Sequence, residues 1–368
     1  ATGHGFTFPT RWYPWVKPDT PTSYYSGTMV LHLAVIYKIF GYHPLVARML
    51  YAVLGTAIVY LVYRIAGRLF GKAAGLIAAA CGAGYAYLIL YSATLLTETP
   101  FILFLLIAID TSYEIAEENN LKRLVVLGLA LAGTILFRMA AIPFVLLLLG
   151  WVFVSSRNSQ QPLKIRQLLI PVSIMVIAVL PWTVRNYTLY DRFMLLESQF
   201  GHVFWNANHP DQGTSFDQVD WVAPIPDELA DLNEADLTYE LLRRGQQNVL
   251  RDPIRFLKLT ISRAKTFFMF WPSPDSSRIS NVGRVLSFGI LLPFMVYGLV
   301  LSIPHWRRCV PLYLFLVIHL GVYLVSWVMI RYRVPADTVL IIFAALGLAD
   351  LGARWFGVGQ IEAEEEVS

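Results

Sequence analysis

Five charged side chains stand out, because each lies at the end of an apolar run. Glu98 opens one run in Leu96-Thr97-Glu98-Thr99-Pro100, Arg138 separates two others, Arg185-Asn186 follows Pro181-Trp182, and Arg331 and Arg333 sit in Arg331-Tyr332-Arg333-Val334-Pro335. A charge at membrane depth is costly and is usually kept for a function. Guanidinium forks bind phosphate oxygens two at a time, so an anionic lipid headgroup is the natural ligand for four of them beside one carboxylate. Plainer readings stand next to this one. Arg138 and Arg333 also suit snorkelling to an interface, and Glu98 suits the positive end of a helix dipole. For Arg185 the belt tryptophan, exit cation and amide of Pro181-Trp182-Thr183-Val184-Arg185-Asn186-Tyr187 tilt the balance toward function.

Other ionisable groups give weaker signals. His202 and His209 with Asp211 read as metal ligands only against the spacing, which matches no standard site. Asp110, Asp337 and Asp350 read as snorkelled or capping groups. Asp19 is the only acid before Glu98. Cys81 and Cys309, 228 positions apart, predict neither a disulfide nor a thiolate zinc site. No residue set indicates a cofactor; a divalent metal is compatible with the chemistry and is not indicated.

The elements that position these groups are membrane helices. Of 368 residues 56% are apolar and 15% charged, against about 25% charged in a soluble domain. Nucleic-acid binding is excluded, because the net charge of +4 forms no basic stripe. A span needs about 20 apolar residues. Nine candidates emerge: 46–65, 73–90, 100–115, 124–137, 139–154, 168–184, 285–303, 310–329 and 335–351. The fourth and fifth merge into one helix of 31 residues only at a length of about 46 Å.

Lysine and arginine favour the cytoplasmic side, and this settles the count. With Arg138 at an external turn, Arg64, Arg68, Lys72, Lys122, Arg123, Arg157, Lys164, Arg166, Arg307 and Arg308 fall inside, against Arg138, Arg331 and Arg333 outside. The fold class is thus an all-α integral membrane protein with about nine transmembrane helices, external juxtamembrane helices and one long external loop. It divides into an external loop with a juxtamembrane helix (1–45), a six-helix membrane region (46–184), an external loop with amphipathic helices (185–284), a three-helix membrane region (285–354) and an acidic cytoplasmic tail (355–368). Within the long loop, 226–250 reads as an amphipathic helix, and Asp252-Pro253 as the cap and first residue of a basic amphipathic helix over 254–270. Trp221, Trp271 and Tyr323 are aromatic-belt candidates. No internal repeat or interrupted midplane helix is evident. The start Ala1-Thr2-Gly3-His4-Gly5 lacks Met and a signal peptide, and at least one further span is expected before it.

Taken in order, these motifs resemble the GT-C superfamily of membrane glycosyltransferases, in the branch of protein mannosyltransferases and the lipid A aminoarabinose transferase. The resemblance runs nearly end to end. Gly3-His4-Gly5-Phe6 and 31–41 are similar to the first external loop and its juxtamembrane helix. The span-to-loop junction is matched by 181–187 with Gly201-His202-Val203-Phe204-Trp205-Asn206-Ala207-Asn208-His209-Pro210, the later juxtamembrane helix by 248–272, and the start of the final span by 331–335. It implies transfer of a sugar, with inversion at C1, from a polyprenyl-phosphate donor to a protein, lipid or glycan acceptor on the extracytoplasmic face, in the plasma (inner) membrane if the source is prokaryotic. On this resemblance Arg138, Arg185, Arg331 and Arg333 bind the donor phosphate, and His202, Trp205, Asn206 and Asn208 the acceptor or sugar. The catalytic carboxylate is expected upstream of Ala1, with Glu98 and Asp19 as weaker candidates. A transporter or flippase, or a polymerase or ligase, for lipid-linked sugars is the alternative; a transporter would show inverted repeats and broken helices.

Overall fold

The computed structural model describes residues 5–8, 18–25, 27–159, 161–212, 222–274 and 276–356. Gly3, His4, Trp221 and the acidic tail lie outside the described residues. Within them the regular structure is helical throughout, with no strand.

The chain opens with α1 (Gly27–Phe40) and α2 (Pro44–Phe70). Pro44 lies in the first turn of α2, and Gly71 ends it at φ 88° and ψ 166°, a combination that glycine adopts without strain. α3 (Lys72–Gly84) and α4 (Ala86–Ala93) meet at a 56° bend. The expectation of no interrupted helix is corrected here. Tyr85 takes an extended conformation between them, and its hydroxyl donates to Asp337 at 2.6 Å, a bond that fixes the break.

α5 (Glu98–Glu117) and α6 (Leu121–Phe137) form an antiparallel pair, α6 being capped by Asn120, whose side chain accepts from Arg123 N. Arg138 interrupts the apolar run as read from the sequence, and α7 (Ile142–Ser155) follows one short turn later. α8 (Leu169–Tyr190) carries Pro181 within it and runs past Arg185-Asn186. At the Arg64 end of α2, Arg64 reaches Asp110 (2.9 Å) and Glu114 (2.6 Å) on α5, and Arg68 reaches Glu117 (3.0 Å). Asp110 thus belongs to an ion-pair network rather than to a cap.

Outside the apolar bundle, α9 (Gln199–Ala207) packs on α10 (Glu234–Arg251) around Trp205, Ala223, Leu229, Leu237 and Leu241. A Cβ on Gly201 would lie 1.9 Å from the Thr238 carbonyl, so only glycine permits this approach. The helix expected over 226–250 begins at Glu234 because Asn233 caps it, accepting from Ala235 N and Asp236 N. α11 (Pro253–Phe267) starts as expected, with Asp252 accepting from Arg255 N.

α12 (Arg278–Arg284), a π-turn, α13 (Ile290–Ser302) and α14 (Trp306–Val325) follow in one helical run, then α15 (Ile330–Phe356). α15 is the central helix, buried throughout 333–347. It approaches α13 so closely that a Cβ on Gly298 would lie 1.7 Å from the Phe343 carbonyl.

By length and composition, five described helices are able to cross a membrane, or six with the bent α3–α4 pair. A count of nine goes further. It needs α6 and α7, of 17 and 14 residues, to span. It also needs the 48-residue run Arg278–Val325, about 72 Å if straight, to divide at the turn Ile303–His305.

Candidate functional site

Where α1, the α4–α5 connection, the α6–α7 break, α9 and the start of α15 converge, they enclose a cavity of about 890 Å³. Met29, Val30, Leu95, Phe137, Ile142, Phe200 and Val322 make its wall largely apolar. Glu98, Arg138, Arg331, Tyr323 and Tyr332 form its charged, hydrogen-bonding end.

Local structure delivers each group. α6 stops at Phe137 and Arg138 is extended, at φ −149° and ψ 102°, so its guanidinium turns inward instead of following the helix surface. Arg138 Nη2 donates to Glu98 Oε1 at 2.6 Å, and Nη1 to Tyr323 Oη at 2.6 Å. Glu98 is the first residue of α5, where a carboxylate also meets the helix dipole favourably. Arg331 and Arg333 were expected just before the last span; they lie inside the first turn of α15. Arg331 Nη2 donates to Tyr332 Oη at 3.2 Å, and its Nε stands 3.9 Å from Glu98 Oε1. Tyr332 lies beneath both cations, 5.1 Å from Arg138 and 5.0 Å from Arg331, and stacks on Tyr323. The two arginines differ in access: the Arg138 side chain is 9% exposed, that of Arg331 32%. Arg331 is therefore the more accessible of the two to a ligand, while Arg138 is held by two hydrogen bonds.

The other two arginines lie elsewhere. Arg185 donates to Ser23 Oγ (3.0 Å), Asn186 Oδ1 (3.1 Å) and Thr22 O (3.1 Å), with Phe6 and Trp182 against its guanidinium. It ties residues 22–23 to α8, helped by Glu234, which accepts from Thr22 Oγ1 and Ser23 N. Arg333 is fully buried. Its Nε donates to Asp337 at 3.1 Å and its Nη1 to the Phe267 and Met269 carbonyls, both at 2.9 Å, over the Phe288 ring. Asp337 is thus the counter-ion of Arg333. Neither Arg185 nor Arg333 lines the cavity.

His202, Trp205, Asn206 and Asn208 are likewise buried off the cavity wall. Asn206 Oδ1 accepts from Ala223 N at 2.7 Å, and Asn208 Nδ2 donates to the Phe204 and Val325 carbonyls. Burial pushes the His202 imidazole down to about 3. Burial, with Arg255 nearby, also lowers the Arg263 guanidinium to about 10 while it holds Asn208 Oδ1. His209 Nδ1 stands 3.6 Å from Asp211, and among the described residues no three His, Cys, Asp or Glu side chains gather as a metal set. Asp19 is exposed in a turn at φ 52°, its amide bonded to Phe8 O.

Tyr323, an aromatic-belt candidate from the sequence, is instead buried against Arg138. Tyr332 is the cavity residue that sequence reasoning misses, as mere spacing between two arginines. Its signal is an aromatic ring flanked by cations at the end of an apolar run.

A family model described as dolichyl-phosphate-mannose-protein mannosyltransferase matches residues 29–184. No curated protein sequence matches. Among solved structures, the oligosaccharyltransferase of Archaeoglobus fulgidus, tethered with an acceptor peptide containing the NVT sequon, is 16% identical with a TM-score of 0.56. That likeness covers 95% of this chain and 43% of the other; the apo form gives 14%, 0.57, 95% and 44%. ArnT from Cupriavidus metallidurans bound to undecaprenyl phosphate is 14% identical, with a TM-score of 0.39 over 93% of this chain and 71% of its own. The chain spans less than half the length of the oligosaccharyltransferase, and at these identities the structural likeness is one of fold. The family match thus covers the first membrane helices of the chain, residues 29–184, and the fold of the oligosaccharyltransferase extends over nearly all of its length.

Proposed function

We propose that the chain is the membrane portion of a glycosyltransferase that moves a sugar from a polyprenyl-phosphate donor to an acceptor on the extracytoplasmic face. The observation that carries this reading is the pairing of one largely apolar cavity with a charged cluster in its wall, Arg138 and Arg331 around Glu98. Such a site suits a ligand that is hydrocarbon at one end and phosphate at the other. In the reaction the acceptor oxygen forms a bond to C1 of the sugar as the C1–O bond to phosphate breaks, and the acceptor proton passes to a base. The lipid phosphate leaves with its negative charge increased. Arg331, assisted by Arg138, offsets that growing charge in surroundings of low dielectric.

Arg185 and Arg333 are proposed to act at a distance, by fixing the outer segment and the start of α15. His202, Trp205, Asn206 and Asn208 are proposed to shape the wall through Phe200, Val203 and Phe204, which line it. An orientation with Arg64, Arg68 and Arg123 inside, following the positive-inside rule, puts the cavity outside. Nine spans, with Arg278–Val325 divided in two, give the same result.

The transport reading gains one observation, the bent α3–α4 pair. It is weakened by the bonds that fill that bend, since Asp337 is committed to both Tyr85 and Arg333. The test is binding of a short polyprenyl phosphate to the purified chain in nanodiscs. Arg331→Ala should weaken it by roughly tenfold or more; an undiminished affinity would remove the phosphate assignment.

A further inference from the structure

We infer that Glu98 makes the cavity select a sugar-bearing lipid phosphodiester over the bare lipid phosphomonoester. The inference rests on the proposed binding of a lipid phosphate at Arg138 and Arg331. Glu98 is 1% exposed and belongs to the cavity wall. Its two oxygens are unlike. Oε1 faces both guanidiniums, 2.6 Å from Arg138 and 3.9 Å from Arg331. Oε2 is buried, and no group among the described residues donates to it.

A buried carboxylate oxygen without a donor is costly, and each instance needs an explanation. A carboxylate only accepts hydrogen bonds. The ligand atom that suits Oε2 is therefore a hydroxyl, and the atom it excludes is another anionic oxygen. These two demands separate the donor from the product. A glycosylated phosphodiester carries one negative charge and sets sugar hydroxyls beside the phosphate. The monoester left after transfer carries between one and two charges near neutral pH and, in its dianionic form, presents only acceptor oxygens there. Arg138 and Arg331 attract both; Glu98 cancels one of their positive charges at the cluster and repels the additional oxyanion. The result is a site that holds donor and releases product.

The test needs three probes at about pH 8, where a phosphomonoester is mostly dianionic. They are farnesyl phosphate, farnesyl methyl phosphate and farnesyl phosphoryl mannose, titrated into the purified chain in nanodiscs. Wild-type protein should bind the mannosyl diester tightest, the methyl diester less tightly and the monoester weakest. Glu98→Gln should move the monoester-to-mannosyl-diester ratio toward the monoester by roughly tenfold or more, the effect of one charge a few ångströms away. Glu98→Asp, which keeps the charge, should keep the order.

Methyl and mannosyl diesters binding alike to wild type would overturn the hydroxyl contact. A monoester binding as well as the methyl diester would overturn the charge selection, and both of these use the unaltered protein. An unchanged ratio in Glu98→Gln, with all probes still bound, would overturn the inference and leave the phosphate reading standing. Wild type binding none of the three would remove both.

Discussion

Arg138 Nη2 and Glu98 Oε1 lie 2.6 Å apart, their side chains 9% and 1% exposed, across the junction of α5 with the α6–α7 break. Two residues 40 positions apart are thus joined where neither has full access to water. Removing one partner of a buried pair costs about 3–5 kcal/mol, because the other is left uncompensated, whereas removing both together costs far less. Arg138→Ala should therefore lower thermal stability in detergent strongly, and the Glu98→Leu/Arg138→Met double variant should regain most of it. Equal losses in the single and double variants would mean that the pair is not coupled. Recovered stability without recovered lipid-phosphate binding would separate the structural from the ligand role of Arg138.

Arg331 and Arg185, which look equivalent in the sequence, should behave differently. Arg331 has its nearest carboxylate at 3.9 Å and is one-third exposed, so Arg331→Ala should change stability by less than about 1 kcal/mol while impairing phosphate binding. Arg185 holds Ser23, Thr22 and Asn186. Arg185→Ala should loosen residues 22–23, seen as faster proteolysis or hydrogen exchange there, with a lesser effect on binding of a short lipid phosphate. Matching phenotypes in the two variants would contradict this division.

This division marks what the sequence carried. Helix positions followed from apolar periodicity and caps, and Asp252-Pro253 at the start of α11 was fully legible because a cap is a local signal. The Arg138 break was legible too, since charge in the flanking loops demanded it. The partition of the arginines was not, because it depends on which way a side chain leaves its helix. Arg331 and Arg333, two positions apart on α15, point about 200° apart around a helix of 3.6 residues per turn, and so reach the cavity and the protein interior respectively. Tyr85 meeting Asp337 was equally hidden, being a contact over 252 positions.

The helices outside the apolar bundle supply a pH-dependent effect of known sign. His202 has its imidazole lowered to about 3 by burial, while in the unfolded chain it titrates near 6.5. Between those values the unfolded state binds a proton that the folded state does not. Stability is therefore unaffected above about pH 6.5 and falls by up to about 1.4 kcal/mol per unit as pH drops below it toward 3. His202→Gln cannot take up that proton. Unfolding midpoints followed by fluorescence from pH 7 to 4 should show a shallower acid-side decline in the variant. Identical slopes would show that His202 is accessible to protons in the folded state.

The contact of α13 with α15 gives the sharpest steric expectation. Gly298 faces the backbone of Phe343, where an added Cβ would stand 1.7 Å from a carbonyl oxygen. No rotamer relieves that clash, because the obstructing atom belongs to the main chain of a helix buried on all sides. Gly298→Ala must therefore push α13 away from α15, the helix whose first turn carries Arg331. Overpacking of this kind costs about 1–3 kcal/mol or more. A loss of thermal stability should accompany weakened lipid-phosphate binding, although Gly298 does not line the cavity. Gly321 on α14, whose Cβ would meet nothing within 4 Å, serves as the control, and Gly321→Ala should be neutral or slightly stabilising by helix propensity. A Gly298→Ala variant as stable as Gly321→Ala would mean that α13 and α15 do not pack at this distance.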